Sequence, residues 1–335
     1  TDASISVRPI PGDENKDITM IWTVAGGEAC DGSSISKVIR FNQPTAISSP
    51  DTYCYLWGGL TSTDIATGDN WYKWNASTGV DMWERQSSPP GASTDKLNVL
   101  TTDNNCIHAT NTPIYASSAT ATSLNVTSGT EIAVNSGTLS ISGDADVVGT
   151  VTIASGAVLD VDGDFDATGG NVTFSGAGTL QVSSSTTSLG TLTTTAGTVK
   201  YDGSSAQTVF AGDYYNLDID GSGTKSLAGN TTVKGDITLT DGELDFDGNR
   251  NLNVIGDITK TSGALVNSSS TNGYLVLKAT SSQNASQALC GFTAPSVSIK
   301  VQQSADVEIT GNISANYLWI QENNSSYLWY LYWTR

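Results

Sequence analysis

This chain is poor in the residues on which most catalysts and nucleic-acid binders depend. His108 is its only histidine in 335 residues, and 15 Lys and Arg face 33 Asp and Glu, for a formal net charge of −18. Nucleic-acid binding needs clustered cations to neutralise phosphate, so that class is excluded. A structural zinc site is excluded too, because one histidine and four scattered cysteines, Cys30, Cys54, Cys106 and Cys290, match no zinc spacing. Charged residues make up 14% of the chain, too few to clothe surface helices, and no long segment keeps a 3.6-residue apolar period. No apolar run approaches the roughly 18 residues that span a bilayer, so no transmembrane segment is expected. The terminal "YLWYLYWTR" is too short for that role.

Small polar residues and alternation take their place. Ser and Thr form about a quarter of the chain, and 34 residues are Gly. Between Leu124 and Leu265 runs a degenerate repeat: "VTIASGAVLDVDGD" from Val151, "VTFSGAGTLQVS" from Val172, "LTTTAGTVKYDG" from Leu192, "LDIDGSGTKSL" from Leu217, "ITLTDGELDFDG" from Ile237 and "ITKTSGALVNSS" from Ile258. The starts are 21, 20, 25, 20 and 21 residues apart. Each unit reads as an alternating strand, a glycine turn and a second strand. The turn glycine recurs at Gly129, Gly156, Gly197, Gly242 and Gly263. One such unit cannot bury its own apolar face, whereas a stack can. The expected fold is all-β: a parallel β-helix, or β-solenoid, of about nine coils over 116–310. At about 4.8 Å per coil it would be roughly 40–45 Å long. Inward residues should stack from coil to coil, as Val151 and Ile153 on Val172 and Phe174.

The flanks differ. Residues 1–115 carry five of the eight tryptophans, Trp22, Trp57, Trp71, Trp74 and Trp83, and three of the four cysteines. They read as a Trp- and Cys-rich β head with an assembly strand in "DITMIWTV". Residues 311–335 are again aromatic, with Tyr317, Trp319, Tyr327, Trp329, Tyr330, Tyr332 and Trp333 around a polar turn. They read as a hairpin that either caps the solenoid or joins it to the next subunit, since an uncovered coil offers unpaired backbone to other chains.

The order Asn70-Trp71, Pro89-Pro90 and "KLNVL" resembles the Trp-rich lead-in ahead of β-helices in secreted prokaryotic surface proteins. The block from Tyr201 to Gly248 resembles the repeats of large secreted β-helical adhesin-like proteins. The resemblance implies a β-helix fold and a place outside the cell, on the cell surface. Thr1 fits a mature N-terminus after removal of a leader, and four cysteines fit one or two disulfides in an exported chain.

Candidate sites follow from residue type. Asp160, Asp162, Asp164 and Asp166 form the densest carboxylate run. Calcium would relieve their repulsion, with a solvated acidic face as the alternative. Trp71 and Trp74 could stack on sugar rings, or be core. Cys106 and His108 share a face of any strand, as a thiol–imidazole pair or, more plainly, a disulfide beside a surface histidine. No Asp-Asp pair occurs, and Arg250 is the only arginine between 86 and 334, so the basic, paired-acid cleft of β-helical polysaccharide enzymes has no counterpart. The expectation is a non-enzymatic, extracellular structural protein that polymerises with itself into a filament, sheath or layer. The alternative is an adhesin gripping glycan or protein through its Trp-rich head; a third reading is a carbohydrate-active β-helix enzyme whose paired carboxylates come from different coils.

Overall fold

The computed structural model describes residues 17–24, 33–40, 54–59, 62–75, 82–92, 94–99, 112–279, 283, 286–302, 305–322 and 325–329. Among these the chain is all-β, and the only helical turn is Gly68–Asn70. It winds as a parallel β-solenoid of about ten turns. No described helix is long and apolar enough to cross a membrane.

Each coil has three short strands, one per face, rather than two. The first face is a single unbroken parallel sheet of ten strands, from Ala119–Ala121 to Val307–Ile309. Ten strands need only nine steps between their starts, the shortest being 18 residues, from Thr198 to Asn216. Within it Leu139, Leu159, Leu180, Val199, Leu217, Ile237 and Ile258 stand in register from strand to strand. All are buried. On the second face Ile132, Val151 and Val172 form one such column, and Val134, Ile153 and Phe174 the next. Alternation explains both: side chains two apart share a face, and only the inward set is apolar.

The first three repeat lines begin on the second face, but those at Leu217, Ile237 and Ile258 begin on the first. The 25-residue step between Leu192 and Leu217 therefore hides a change of face. At that level the column has a seam. The second-face sheet stops at Thr191–Leu192 and a new one starts at Gly212–Tyr214; the third-face sheet stops at Thr186–Ser188 and resumes at Gln207–Val209. Only the first face carries its ladder across. A second break on the third face separates Ala264–Val266 from Phe292–Ala294.

Turn glycines make the corners. Gly129, Gly156, Gly197 and Gly242 take φ between 68° and 82°, a region that costs an L side chain energy and glycine none. Gly197 also lies against Phe174, where any Cβ would overlap the ring. Gly263 is different: its φ is not positive, and close approach to Leu239 selects it.

The tryptophan-rich segment is joined to the column without a break. Cys54–Trp57 and Lys96–Val99 continue the third-face sheet in parallel, and Trp71–Asn75 and Met82–Arg85 extend it as an antiparallel meander. Asp17–Val24 and Ser33–Arg40 form a separate antiparallel ribbon with eight residue pairs.

Candidate functional site

The acidic run does not converge. Asp160 points outward from its strand beside Ser140 and Gln181, which lie 3.4 and 3.0 Å from its carboxylate oxygens. Asp164 accepts from the Ser184 and Ser185 hydroxyls at 2.9 and 2.7 Å, and Asp166 from Thr168. Asp162 follows at the corner, two residues from each neighbour. Among the described residues no three His, Cys, Asp or Glu side chains come together as metal ligands. The expected calcium site at Asp160, Asp162, Asp164 and Asp166 is therefore not assembled among the described residues: alternation alone would keep the four on one side, but the corner after Val161 turns the chain, and hydroxyls bond Asp160, Asp164 and Asp166. The Ser185 and Ser184 hydroxyls hold the Asp164 carboxyl below its usual range, while burial, then Asp162 and Asp202, push Asp160 up.

The outer row of the first face runs Asp160, Gln181, Lys200, Asp218, Thr238. Lys200 pairs with Asp220 at 2.6 Å, and burial raises the Asp218 carboxyl. Asp160 and Asp218 are the two raised carboxyls of this row. Three strand spacings put them about 14 Å apart, beyond the roughly 5–9.5 Å that glycoside hydrolysis uses.

Trp71 is also corrected as a sugar platform. It is fully buried, packs edge-on to Trp57 at 4.9 Å between ring centroids, and donates its indole N–H to the Ile65 carbonyl at 2.9 Å. A ring enclosed on both faces is core. Trp74 and Cys54 lie in strands, but their side chains fall outside the description, as do those of Trp22, Tyr327 and Trp329. Cys30, Cys106, His108, Tyr330, Tyr332 and Trp333 lie outside the described residues. Cys290 is a buried free thiol, raised by desolvation. It lines a groove of about 750 Å³ at the second break of the third face, with Lys260, Phe292 and Asn312.

The last coil gathers the exposed apolar groups. Ile309 stacks in register on Leu289, yet Leu289 is 1% exposed and Ile309 is 52% exposed. Ile320, in register with Val301, is 39% exposed. Between them lies a recess of about 400 Å³ lined by Leu277, Leu289, Ile299, Val307, Ile313 and Leu318. It is the interior of the solenoid, seen from its end. One face is finished there by the antiparallel strand Ser325–Trp329 on Leu318–Glu322. The other two end, among the described residues, on the parallel strands Val307–Ile309 and Ile313–Ala315. Trp319 stands outward at 37% exposure, and Tyr317 is partly buried. Lys300 lies over Tyr274 and Trp319, at 3.6 and 5.8 Å from the ring centroids.

A set of buried polar side chains was not anticipated from sequence. Gln207 donates to the Val182 and Ser184 carbonyls, both at 2.9 Å, and accepts from Gly203 N–H at 2.7 Å. Tyr201 and Tyr214 join hydroxyls at 3.1 Å and bond to Phe210 backbone. Lys225, fully buried, gives its ammonium to the carbonyls of Gly203, Gly221 and Gly223 at 2.5, 3.2 and 2.9 Å. Gln287 donates to Val254 and Gly256 carbonyls at 3.0 and 2.7 Å. These groups lie at corners and breaks, where backbone groups lack strand partners. A signal was present: in "TKSL" Lys225 falls in phase with buried Leu227, an inward position.

Comparison of the chain with protein-family models, with curated proteins and with solved structures finds no match in any of the three.

Proposed function

We propose that this protein is an extracellular structural subunit that assembles with copies of itself into a cell-surface filament, sheath or layer. The carrying observation is the apolar last coil, with inward-register residues Ile309 and Ile320 open to solvent. A contiguous exposed apolar patch of this kind marks an interaction surface. Each further rung stacked on it would bury aliphatic area worth roughly 25 cal/mol per Å². The acid-rich composition, the cysteines in the flanking segment and the resemblance to secreted β-helical surface proteins support the outside of the cell. The reading assigns no catalytic step.

The test is sedimentation and electron microscopy of the intact chain beside Ile309→Lys and Ile320→Lys. Ordered polymers are expected from the native chain, and monomers from the double variant with unchanged β-sheet circular dichroism. Equal polymerisation of both would remove the last coil as the interface.

One observation favours adhesion as a second reading. The outer surface of the first face carries a polar groove of about 400 Å³, lined by Gln181, Thr198, Lys200, Asn216, Asp218 and Thr238. Such planar amides, hydroxyls and carboxylates suit a hydroxyl-rich glycan. Glycan-array binding lost on Gln181→Ala with Asn216→Ala would support it.

A further inference from the structure

The outer surface of the second face changes chemistry toward the end of the column. Its last four parallel strands are Asn251–Val254, Gly273–Leu277, Val297–Val301 and Leu318–Glu322. With their corners, 251–256, 272–279, 296–302 and 316–322, they hold two lysines and one carboxylate, Glu322 at the far end, a net of +1. Five rungs of the first face, 158–162, 179–183, 198–202, 216–220 and 236–240, hold six Asp and one Lys, a net of −5. The end of the second face is thus locally cationic in a chain of net charge −18. At 0.15 M salt fields fade over about 8 Å, so a ligand meets the local charge rather than the total.

Among the described residues neither lysine, Lys278 or Lys300, pairs with a carboxylate. Lys300 is held over the rings of Tyr274 and Trp319, contacts that order its ammonium without neutralising it. Lys278 follows inward Leu277, which is in register with Val301, and so stands on the same outer surface. One strand spacing and two residues of rise put the two lysine Cα atoms about 8 Å apart. Trp319, in register with Lys300 on the next rung, is 37% exposed. Beside them amides stand where the first face has carboxylates. Asn272 and Ser298 exchange hydrogen bonds at 3.0 and 3.1 Å, and Asn316 donates to Asn272 at 3.0 Å. Val276 and Ser298 point outward and are nonetheless buried, so this polar layer is packed before any ligand arrives, which lowers the cost of binding one.

We propose that this face binds an acidic polysaccharide, its carboxylates on Lys278 and Lys300 and one pyranose ring on Trp319. The indole face matches the apolar C–H surface of a sugar, the amides match its hydroxyls, and the two ammonium groups require anions. A neutral glycan would leave both lysines unanswered. An acidic protein surface, the first face of a second copy included, would answer the lysines but not the exposed indole. The site opens to the side of the column, apart from the last coil's recess and from the polar groove of the first face. It does not depend on self-assembly.

Calorimetric titration of the full-length chain with polygalacturonate, beside dextran of matched length and at about 0.15 M salt, tests it. The native chain should bind polygalacturonate and not dextran. Lys278→Gln with Lys300→Gln should weaken binding roughly tenfold or more, and Trp319→Ala by a similar factor, with sheet circular dichroism unchanged. Lys300→Arg keeps both the charge and the ring contacts and should bind as the native chain does. The proposal is overturned if the native chain does not bind polygalacturonate, if dextran binds equally, or if the double lysine variant keeps native affinity. Weakening by Gln181→Ala with Asn216→Ala instead would move the ligand to the first-face groove and overturn it too. If the double lysine variant loses self-association yet still binds polygalacturonate at native affinity, the face is a contact between copies. Sedimentation without polysaccharide reads self-assembly separately, so either reading can fail alone.

Discussion

At the scale of single residues, the interior of this column is decided by a handful of polar side chains as much as by its aliphatic stacks. Lys225 is the clearest. Its ammonium is enclosed by three glycine carbonyls from two successive coils, and burial draws its pKa below the ordinary lysine value. Three acceptors offset the desolvation of the charge, and removal of the donor leaves buried carbonyls without a partner. Lys225→Met should therefore cost about 3 kcal/mol in urea unfolding despite being the more apolar residue. An unchanged midpoint would mean that solvent reaches those carbonyls.

At the scale of elements, the seam is where regular strand pairing gives way to side chains. Two of three ladders stop between Thr186–Leu192 and Gln207–Tyr214. Tyr201, Tyr214 and Gln207 take over the hydrogen bonding across that gap. Burial pushes the Tyr201 phenol up to about 12 and Tyr214 well above its ordinary value, against 10.0 for free tyrosine. Above pH 10 the unfolded chain sheds these protons while the folded chain keeps them. Stability should therefore be intact below pH 10 and fall as pH rises from there toward 12. Absorbance of tyrosinate near 295 nm should rise for these two residues only together with loss of sheet circular dichroism. Tyr201→Phe with Tyr214→Phe should flatten the alkaline loss while lowering stability at neutral pH. Alkaline titration of both tyrosines with the fold intact would place them in contact with solvent.

At the scale of the whole molecule, an asymmetric column carries a net charge of −18. Stacking such columns brings like charge together, so assembly should be slow at low salt and speed up as the screening length falls from about 30 Å at 0.01 M to about 8 Å at 0.15 M. Light scattering across that range measures it. Because no three described carboxylates converge as ligands, calcium and magnesium chloride at matched ionic strength should act alike. A marked excess for calcium would point to a binding site formed only between subunits. The bond between copies remains apolar in this account, and salt acts only on the barrier to approach.

The repeat, the all-β class and the inward stacking of Val151 on Val172 and Ile153 on Phe174 were legible from sequence, because alternation and glycine spacing are local properties that each coil states again. So was the aromatic character of both flanks. The change of face between Leu192 and Leu217 was not, since a 25-residue step reads as a long loop until its hydrogen bonds are traced. Neither was the fate of Trp71, because an indole in a Trp-rich segment reads alike whether a sugar or Trp57 covers it. The Asp160–Asp166 run misled for a related reason: proximity along the chain is not convergence in space. The amino-acid order thus determined that the chain stacks and which residues face inward. Tertiary structure alone decided where the ladders break, which polar groups repair them, and that the last rung leaves Ile309 and Ile320 open, for these depend on contacts between residues some twenty positions apart.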